Sequence, residues 1–277
     1  MNPDAVLSWG GPRLRDLPWR RTRDPWAILV AEVMLQQTQV SRVIPRWEAF
    51  VRRHPTPADF ASRPLGDALR EWQGLGYPRR ARNLHDAATA MVERHDGAVP
   101  DELDALLALP GIGPYTARAV LAFAFERDVA VVDTNIARVL ARDSGRRLTP
   151  GQVQAAADGL VPAGHGWAWN QVLMDLGATV CRSQPRCAAC PQRGACAWNV
   201  AGRPDPDPAL GSAGVSGRQA PYVGSVRQAR GRILRRLGDG AVPVDALDPA
   251  IVEGLVADRL VVVVSGDGHG PAVAQLP

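Results

Sequence analysis

Leu109-Pro110-Gly111-Ile112-Gly113-Pro114-Tyr115-Thr116-Ala117 lies between two stretches whose apolar residues recur at helical spacing, and it holds two glycines one residue apart. Glycine lets a backbone take positive φ and come close to a ligand. The N-terminus of the helix that follows points N–H groups at whatever approaches it. The segment therefore reads as a helix–hairpin–helix able to hold a phosphate. A plain Gly-Pro turn joining two core helices uses the same residues. The Ala-rich helix that follows (Ala117, Ala119, Ala122, Ala124) adds weight to the phosphate reading, since a bare G-x-G is a weak signal.

Outward from the hairpin, residues 26–200 read as mostly helical. Helical periodicity covers Trp26 to Leu35, Val43 to Phe50, Leu65 to Trp72, Asn83 to Val92 and Leu103 to Leu109. Short breaks at Pro55 to Pro57, Gly74 to Gly76, Gly97 and Pro110 to Pro114 separate helices of ordinary length, the pattern of an all-α domain. Asp101 is placed to cap a helix starting near Glu102, and Thr149-Pro150 to start another. Residues 201–217 turn to Gly, Pro, Ser and Asp, the chemistry of a linker. Beyond them Arg227 to Leu237 is amphipathic, Asp248 to Asp258 is a second helix candidate, and Leu260 to Val264 ahead of Gly266 to Gly270 reads as a strand entering a loop. That order suits a small winged-helix-like module; a weakly structured tail is the alternative.

Two acids stand out. Asp133, in Val131-Val132-Asp133-Thr134-Asn135, closes an apolar run just before a helix over Ile136 to Arg142, where capping alone would explain it. Glu32 sits among Val30, Ala31, Val33 and Met34, ahead of Gln36-Gln37-Thr38-Gln39. If that side chain is poorly solvated, its pKa rises towards that of a useful general acid; on a solvent-facing helix surface it would not. Spacing does not show whether the two acids meet.

All four cysteines, Cys181, Cys187, Cys190 and Cys196, fall in one C-x5-C-x2-C-x5-C run. Thiolates so gathered suit a soft-metal centre. Two disulfides of a secreted chain would use the same four residues, but Met1 to Trp19 has no apolar core and carries Asp4, Arg13, Arg15 and Asp16. Spacing leaves zinc and iron-sulfur both open; it leans to iron-sulfur because only Cys187 and Cys190 form a C-x2-C pair.

Composition bounds the rest. The 277 residues are 46% hydrophobic and 22% charged, an ordinary globular balance with room for a sizeable core. The longest apolar runs, such as Val129 to Val132, are too short for a membrane span, so a soluble, cytoplasmic chain is expected. All 32 basic residues are arginine, which leaves the N-terminus as the sole amine for Schiff-base chemistry. A net charge of +4 permits a polyanionic partner without demanding one.

Several motifs then occur in one order: Leu17-Pro18-Trp19-Arg20, Glu32 to Gln39, Gly74-Leu75-Gly76-Tyr77, the Gly111 hairpin, Val132 to Asn135, Asp175-Leu176-Gly177-Ala178 and the cysteines. Together, over about residues 14 to 200, they resemble the adenine DNA glycosylases, the MutY family of the helix-hairpin-helix glycosylase superfamily. Residues 218–277, with Tyr222 to Leu234, resemble the short C-terminal region of actinobacterial members. The resemblance implies an all-α, two-lobed helix-hairpin-helix glycosylase fold in residues 1–200, with a six-helix lobe over about 17–125 and an iron-sulfur lobe made of the N-terminus plus about 126–200. A 201–217 linker and a 218–277 module complete it.

The resemblance further implies a [4Fe-4S] cluster on the four cysteines and a monomer acting on double-stranded DNA, with no membrane partner. Its activity would be removal of adenine mispaired with 8-oxoguanine or guanine. Glu32 would protonate the flipped base, Asp133 would stabilise or covalently trap the sugar cation, and Tyr115 and Asn135 would position these acids. Arg20 and Gln171 would lie near the base, Gly111 and Gly113 against a DNA phosphate, and Gln37 and Tyr77 would wedge in beside the mispaired guanine. Tyr115 stands where related lyases resembling endonuclease III carry a lysine, so base removal without strand cleavage is expected. A thymine or uracil mismatch glycosylase of the same fold, or a non-catalytic iron-sulfur DNA-binding protein, are the alternatives.

Three departures from the family pattern stand out. The first cysteine interval is one residue short, Pro78 replaces a second tyrosine, and too few residues follow Cys196 for the Nudix-like domain that reads 8-oxoguanine in many members. Arg227, Arg230, Arg232, Arg235 and Arg236 are candidates for substitute DNA contacts; a solvated helix face is the other reading.

Overall fold

Residues 1–212, 221–265 and 271–277 are described by the computed structural model. The end of the expected linker, the first residues of the expected module and the Gly266 to Gly270 loop lie outside them. The helices are α1 (Pro3–Gly10), α2 (Pro25–Leu35), α3 (Val40–Arg53), α4 (Pro57–Ala61), α5 (Leu65–Glu71), α6 (Arg79–Arg94), α7 (Leu103–Leu107), α8 (Pro114–Phe123), α9 (Thr134–Ser144), α10 (Pro150–Asp158), α11 (Gly166–Thr179), α12 (Ala197–Val200), α13 (Val226–Asp239) and α14 (Pro249–Ala257). Short strands β1 (Val242–Pro243), β2 (Val262–Val264) and β3 (Val273–Gln275) form an antiparallel sheet in the order β1-β3-β2. Among the described residues no helix is long and apolar enough to cross a membrane.

Contacts divide the chain into two units, one of Met1–Ile28, Asp101–Leu103 and Gly113–Arg218, the other of Leu29–Pro100, Asp104–Ile112 and Gln219–Pro277. The lobe expected at about 17–125 and the separate module expected at 218–277 differ from this division. Here α8 groups with the cysteines, and the described residues after 220 group with α3 to α6.

In the first unit Val6, Ile136, Leu140, Trp169, Val172, Leu173 and Leu176 share one core, built where α1 and α9 pack on α11. α1 comes close because residue 10 is glycine: a Cβ there would lie 2.1 Å from Cγ1 of Val172. Local chemistry sets the helix ends. Asp133 caps α9, Gly145 ends it at φ +66°, and Thr149 with Gln152 forms a capping box ahead of Pro150.

The second unit packs α4 and α5 on α6. Its central device is Arg80, only 8% exposed, on the same stripe of α6 as Leu84, Ala87, Ala88 and Met91. Its guanidinium donates to the carbonyls of Val33 (2.7 Å), Met34 (3.0 Å), Leu75 (3.1 Å) and Gly76 (3.0 Å) and to the Thr38 hydroxyl (3.1 Å). Burial lowers its pKa to about 10, so it stays charged at neutral pH.

The C-terminal helices and sheet dock on this same unit. Asp258 takes Arg79 (2.6 Å) and Arg230, while Arg82 donates to the Asp258 carbonyl (2.5 Å) and Arg259 pairs with Asp86. Burial alone would raise the Asp258 carboxyl; Arg79 and Arg230 override it and hold it below the ordinary range. The Gly66 N–H donates to the Pro277 carbonyl at 2.8 Å.

Removing the Arg80 fork strands several buried carbonyls, each costing about 1–3 kcal/mol when unmet. Arg80→Met should therefore lose roughly 3 kcal/mol or more of stability. Chemical denaturation checks this, and a loss below about 1 kcal/mol would contradict the central place given to Arg80.

Candidate active site

α2 starts where the Asp24 carboxylate accepts from the N–H groups of Trp26 (2.9 Å) and Ala27 (3.3 Å). From there Trp26, Ala27, Ile28, Leu29, Val30, Ala31, Val33 and Met34 are all buried, so the helix is apolar on every side. Glu32 is buried with them at 5% exposure. A solvent-facing glutamate on an amphipathic helix is thereby excluded.

Asp133 is the second acid. Its carboxylate accepts from the Ile136 N–H (2.7 Å) and from Nδ2 of Asn135 (2.7 Å). Burial raises its pKa, and these donors together with the Arg138 charge only partly offset that rise. Asn135 is itself fixed: Arg138 donates to its Oδ1 (2.8 Å) and to the carbonyls of Gly177 (2.7 Å) and Cys181 (2.7 Å). Residue 177 must be glycine for this approach, since a Cβ there would stand 2.6 Å from the Cβ of Asn135. Tyr115 is half-buried in the first turn of α8.

Arg20 and Gln171 are both buried or nearly so, Gln171 one turn before Asp175 on α11. Arg20 forms a fork on Asp175 (2.8 and 2.9 Å), which also takes the backbone N–H (2.9 Å) and Nε (2.7 Å) of Arg15. Burial would raise the Asp175 pKa; the hydrogen bonds and charges of Arg20 and Arg15 more than reverse it. A depressed carboxylate of this kind contributes stability above the ordinary aspartate range, and that contribution is lost as pH falls through its lowered value.

The hairpin turns at Gly111, φ +74°, where a Cβ would meet the Asn83 side chain at 2.5 Å. Gly113 caps α8 and has open space around it. Gln37 and Tyr77 both hold positive φ, +54° and +48°, uncommon for residues with a side chain. Arg80 ties their two loops together, with Thr38 Oγ1 donating to the Leu75 carbonyl (3.3 Å). Pro78 leads into α6 at φ −61°, a value proline takes without strain.

The four cysteines line one cavity with Arg142, Val180, Pro185, Arg193, Trp198 and Asn199, about 300 Å³ of empty, partly open space. Among the described residues no three His, Cys, Asp or Glu side chains converge as for a single ion. Burial pushes the Cys190 thiol up to about 11 and raises Cys181 and Cys196 as well. Arg142, 2% exposed, donates to the carbonyls of Arg182 (2.6 Å) and Ser183 (3.1 Å), to Sγ of Cys181 (3.4 Å), and to Asp207 (3.1 Å). The short first interval thus forms a tight loop, closed by the Arg186 N–H on the Val180 carbonyl (2.9 Å) and held from inside by Arg142.

Residues 30–163 match the model of the HhH-GPD superfamily of base excision DNA repair proteins. The adenine DNA glycosylase of Mycobacterium tuberculosis is 43% identical over 276 residues, covering 92% of this chain and 88% of that one. The chain belongs to the adenine DNA glycosylase family. It is thus a DNA glycosylase, and its fold is that of helix-hairpin-helix repair enzymes. A thermostable thymine-DNA glycosylase is similar over 72% of this chain and 95% of that one (30% identity, TM-score 0.67). An endonuclease III in non-covalent complex with DNA shares the fold over 73% of this chain and 98% of that one (23% identity, TM-score 0.63).

Arg80, Arg138 and Arg142 are not among the site residues expected from the sequence of this glycosylase. Arg80 carried a readable signal, an arginine on the apolar stripe of α6. The partners of Arg138 and Arg142 lie across 39 to 65 positions of chain, which no local pattern reports. Base excision that uses the Asp133 carboxylate should fall on the acid side at a pH above the ordinary aspartate value. Asn135→Ala removes a donor to the ionised form, so the acid limb of its pH–rate profile should move to higher pH; an unmoved or lowered limb would contradict the assignment.

Proposed function

We propose that the chain removes adenine mispaired with 8-oxoguanine or guanine in double-stranded DNA, and that it leaves the strand intact. One observation carries the reading: Glu32 is a buried carboxyl group on a helix that is otherwise apolar all round. A carboxyl group set there is of the type that serves as a general acid. In this reading the adenine is extruded from the duplex, with Gly111 and Gly113 at a DNA phosphate, Gln37 and Tyr77 wedged beside the mispaired guanine, and Arg20 and Gln171 near the base.

Glu32 gives a proton to the adenine ring as the bond between base and sugar C1′ breaks, its electron pair leaving with the base. Asp133 faces the resulting oxocarbenium ion as a carboxylate, or bonds to C1′. Water then adds at C1′ and returns a proton to Glu32, the two-carboxylate logic of retaining glycosidases. Asn135 and Tyr115 position the acids. With no lysine in the sequence, the Schiff base that starts strand cleavage lacks its usual amine.

Cys181, Cys187, Cys190 and Cys196 would hold a [4Fe-4S] cluster. Four thiols lining one cavity are the donor set that group takes. It would cross-link the 181–196 loop and take no part in base removal.

The described residues after 220 read as a winged-helix-like module in which Arg232, Arg235 and Arg236, exposed on α13, meet DNA phosphates. We place the enzyme in the cytoplasm as a monomer with no membrane partner. A thymine-specific reading is favoured by one finding, the similarity to a thymine-DNA glycosylase.

The test is analysis of the bases released from duplexes with adenine opposite 8-oxoguanine, adenine opposite guanine, and thymine or uracil opposite guanine. Adenine alone is expected, and pyrimidine release would overturn the proposal. Glu32→Gln should bind the same duplexes yet lose excision by about a hundredfold or more; retained excision would remove Glu32 from its role.

A further inference from the structure

The described C-terminal residues do more than offer arginines to solvent. Of the five arginines on α13, Arg227 turns inward: its Nη1 donates to the Tyr77 hydroxyl at 3.0 Å, a contact spanning 150 positions of chain. Tyr77 is the residue of positive φ whose loop is tied at its other side by Arg80 through the carbonyls of Leu75 and Gly76. The Arg80 guanidinium also stands 5.6 Å from the Tyr77 ring centroid. The phenol ring is thus held at its backbone and its face by Arg80 and at its tip by Arg227.

The helix that carries Arg227 is itself fixed in register. Ser225 caps it by accepting from the Gln228 N–H (3.3 Å) and donates to the Tyr222 carbonyl (2.6 Å). One turn on, Arg230 shares the Asp258 carboxylate with Arg79, two residues after Tyr77. Arg227 is therefore delivered to the Tyr77 hydroxyl by a clamp built on the start of α6.

We propose that Arg227 is a positioning residue through which the C-terminal module sets the Tyr77 wedge and so the discrimination between 8-oxoguanine and guanine opposite the adenine. The chemistry is direct. A guanidinium that donates to the phenol oxygen fixes the ring and polarises the O–H, leaving its proton as a stronger donor. Guanine and 8-oxoguanine differ at C8, where the oxidised base adds a carbonyl acceptor, and at N7, which becomes an N–H donor. A wedge whose tip is oriented by a fixed cation can separate two such edges; a freely rotating phenol separates them less well. This inference rests on the adenine-excision reading and on Tyr77 as the wedge.

The test is single-turnover excision from duplexes with adenine opposite 8-oxoguanine and opposite guanine, in a double-mutant cycle of Arg227→Ala and Tyr77→Phe, with Arg227→Lys as the conservative variant. The rate ratio between the two duplexes should fall about tenfold in Arg227→Ala, as expected for loss of a hydrogen bond from a charged donor. Tyr77→Phe, which keeps the ring, should lower the ratio similarly, the double variant no further, and Arg227→Lys should recover part of it. Equal slowing on both duplexes, an unchanged ratio, or additive effects in the cycle would overturn the proposal. Should Arg227→Ala not fold, Arg227→Lys against Tyr77→Phe carries the same comparison. Absence of adenine release by the wild type from every duplex would instead be failure of the adenine reading itself.

Discussion

A carboxylate buried at the N-terminus of α9 is the constraint around which the cysteine-bearing unit is arranged. Asp133 is pushed towards its neutral form by burial, and what holds back that push is the Ile136 N–H, the Asn135 amide and the Arg138 charge. Each of those needs support. Asn135 is held by Arg138, Arg138 by the carbonyls of Gly177 and Cys181, and the close approach of α11 by the missing side chain at Gly177. The cysteine loop therefore reaches the acid by three consecutive contacts, although the acid and the first cysteine stand far apart in sequence. Arg142, one turn after Arg138, fastens the same loop from below and carries the segment at Asp207 with it.

The other unit depends on a comparable device with a different purpose. Arg80 is a buried cation whose partners are carbonyls and a hydroxyl rather than a carboxylate, so its fork joins loops instead of neutralising a charge. Arginine suits both tasks because its five donors spread over a rigid plane, where an ammonium group offers three at one point. A chain whose basic residues are all arginine has used that property at its structural knots, whatever caused the bias in composition.

Much of this is legible in the sequence. Periodicity located α2, α3, α5 and α6 to within a few residues, and Thr149-Pro150 and Asp133 cap helices as their positions suggested. The sequence leaves Glu32 either poorly solvated among its apolar neighbours or solvent-facing, and it is buried. What stayed hidden was of two kinds. α1 and α11 were not delimited, α1 because it is short and α11 because helices pack on several of its sides, which erases a clean amphipathic stripe. The docking of residues after 220 on α5 and α6 was hidden too, because it rests on ion pairs such as Arg79 with Asp258 and Arg259 with Asp86, whose members lie too far apart in sequence to signal each other.

The central proposal is that two protein carboxyl groups, with no lysine to help, detach a base and stop there. Following the sugar–phosphate strand through a single turnover at neutral pH, in a buffer without amines, tests this most directly. The account predicts that the adenine-containing strand remains full length with one abasic site and breaks only when alkali is added afterwards. A strand cut by the protein alone, at a rate matching base loss, would contradict it.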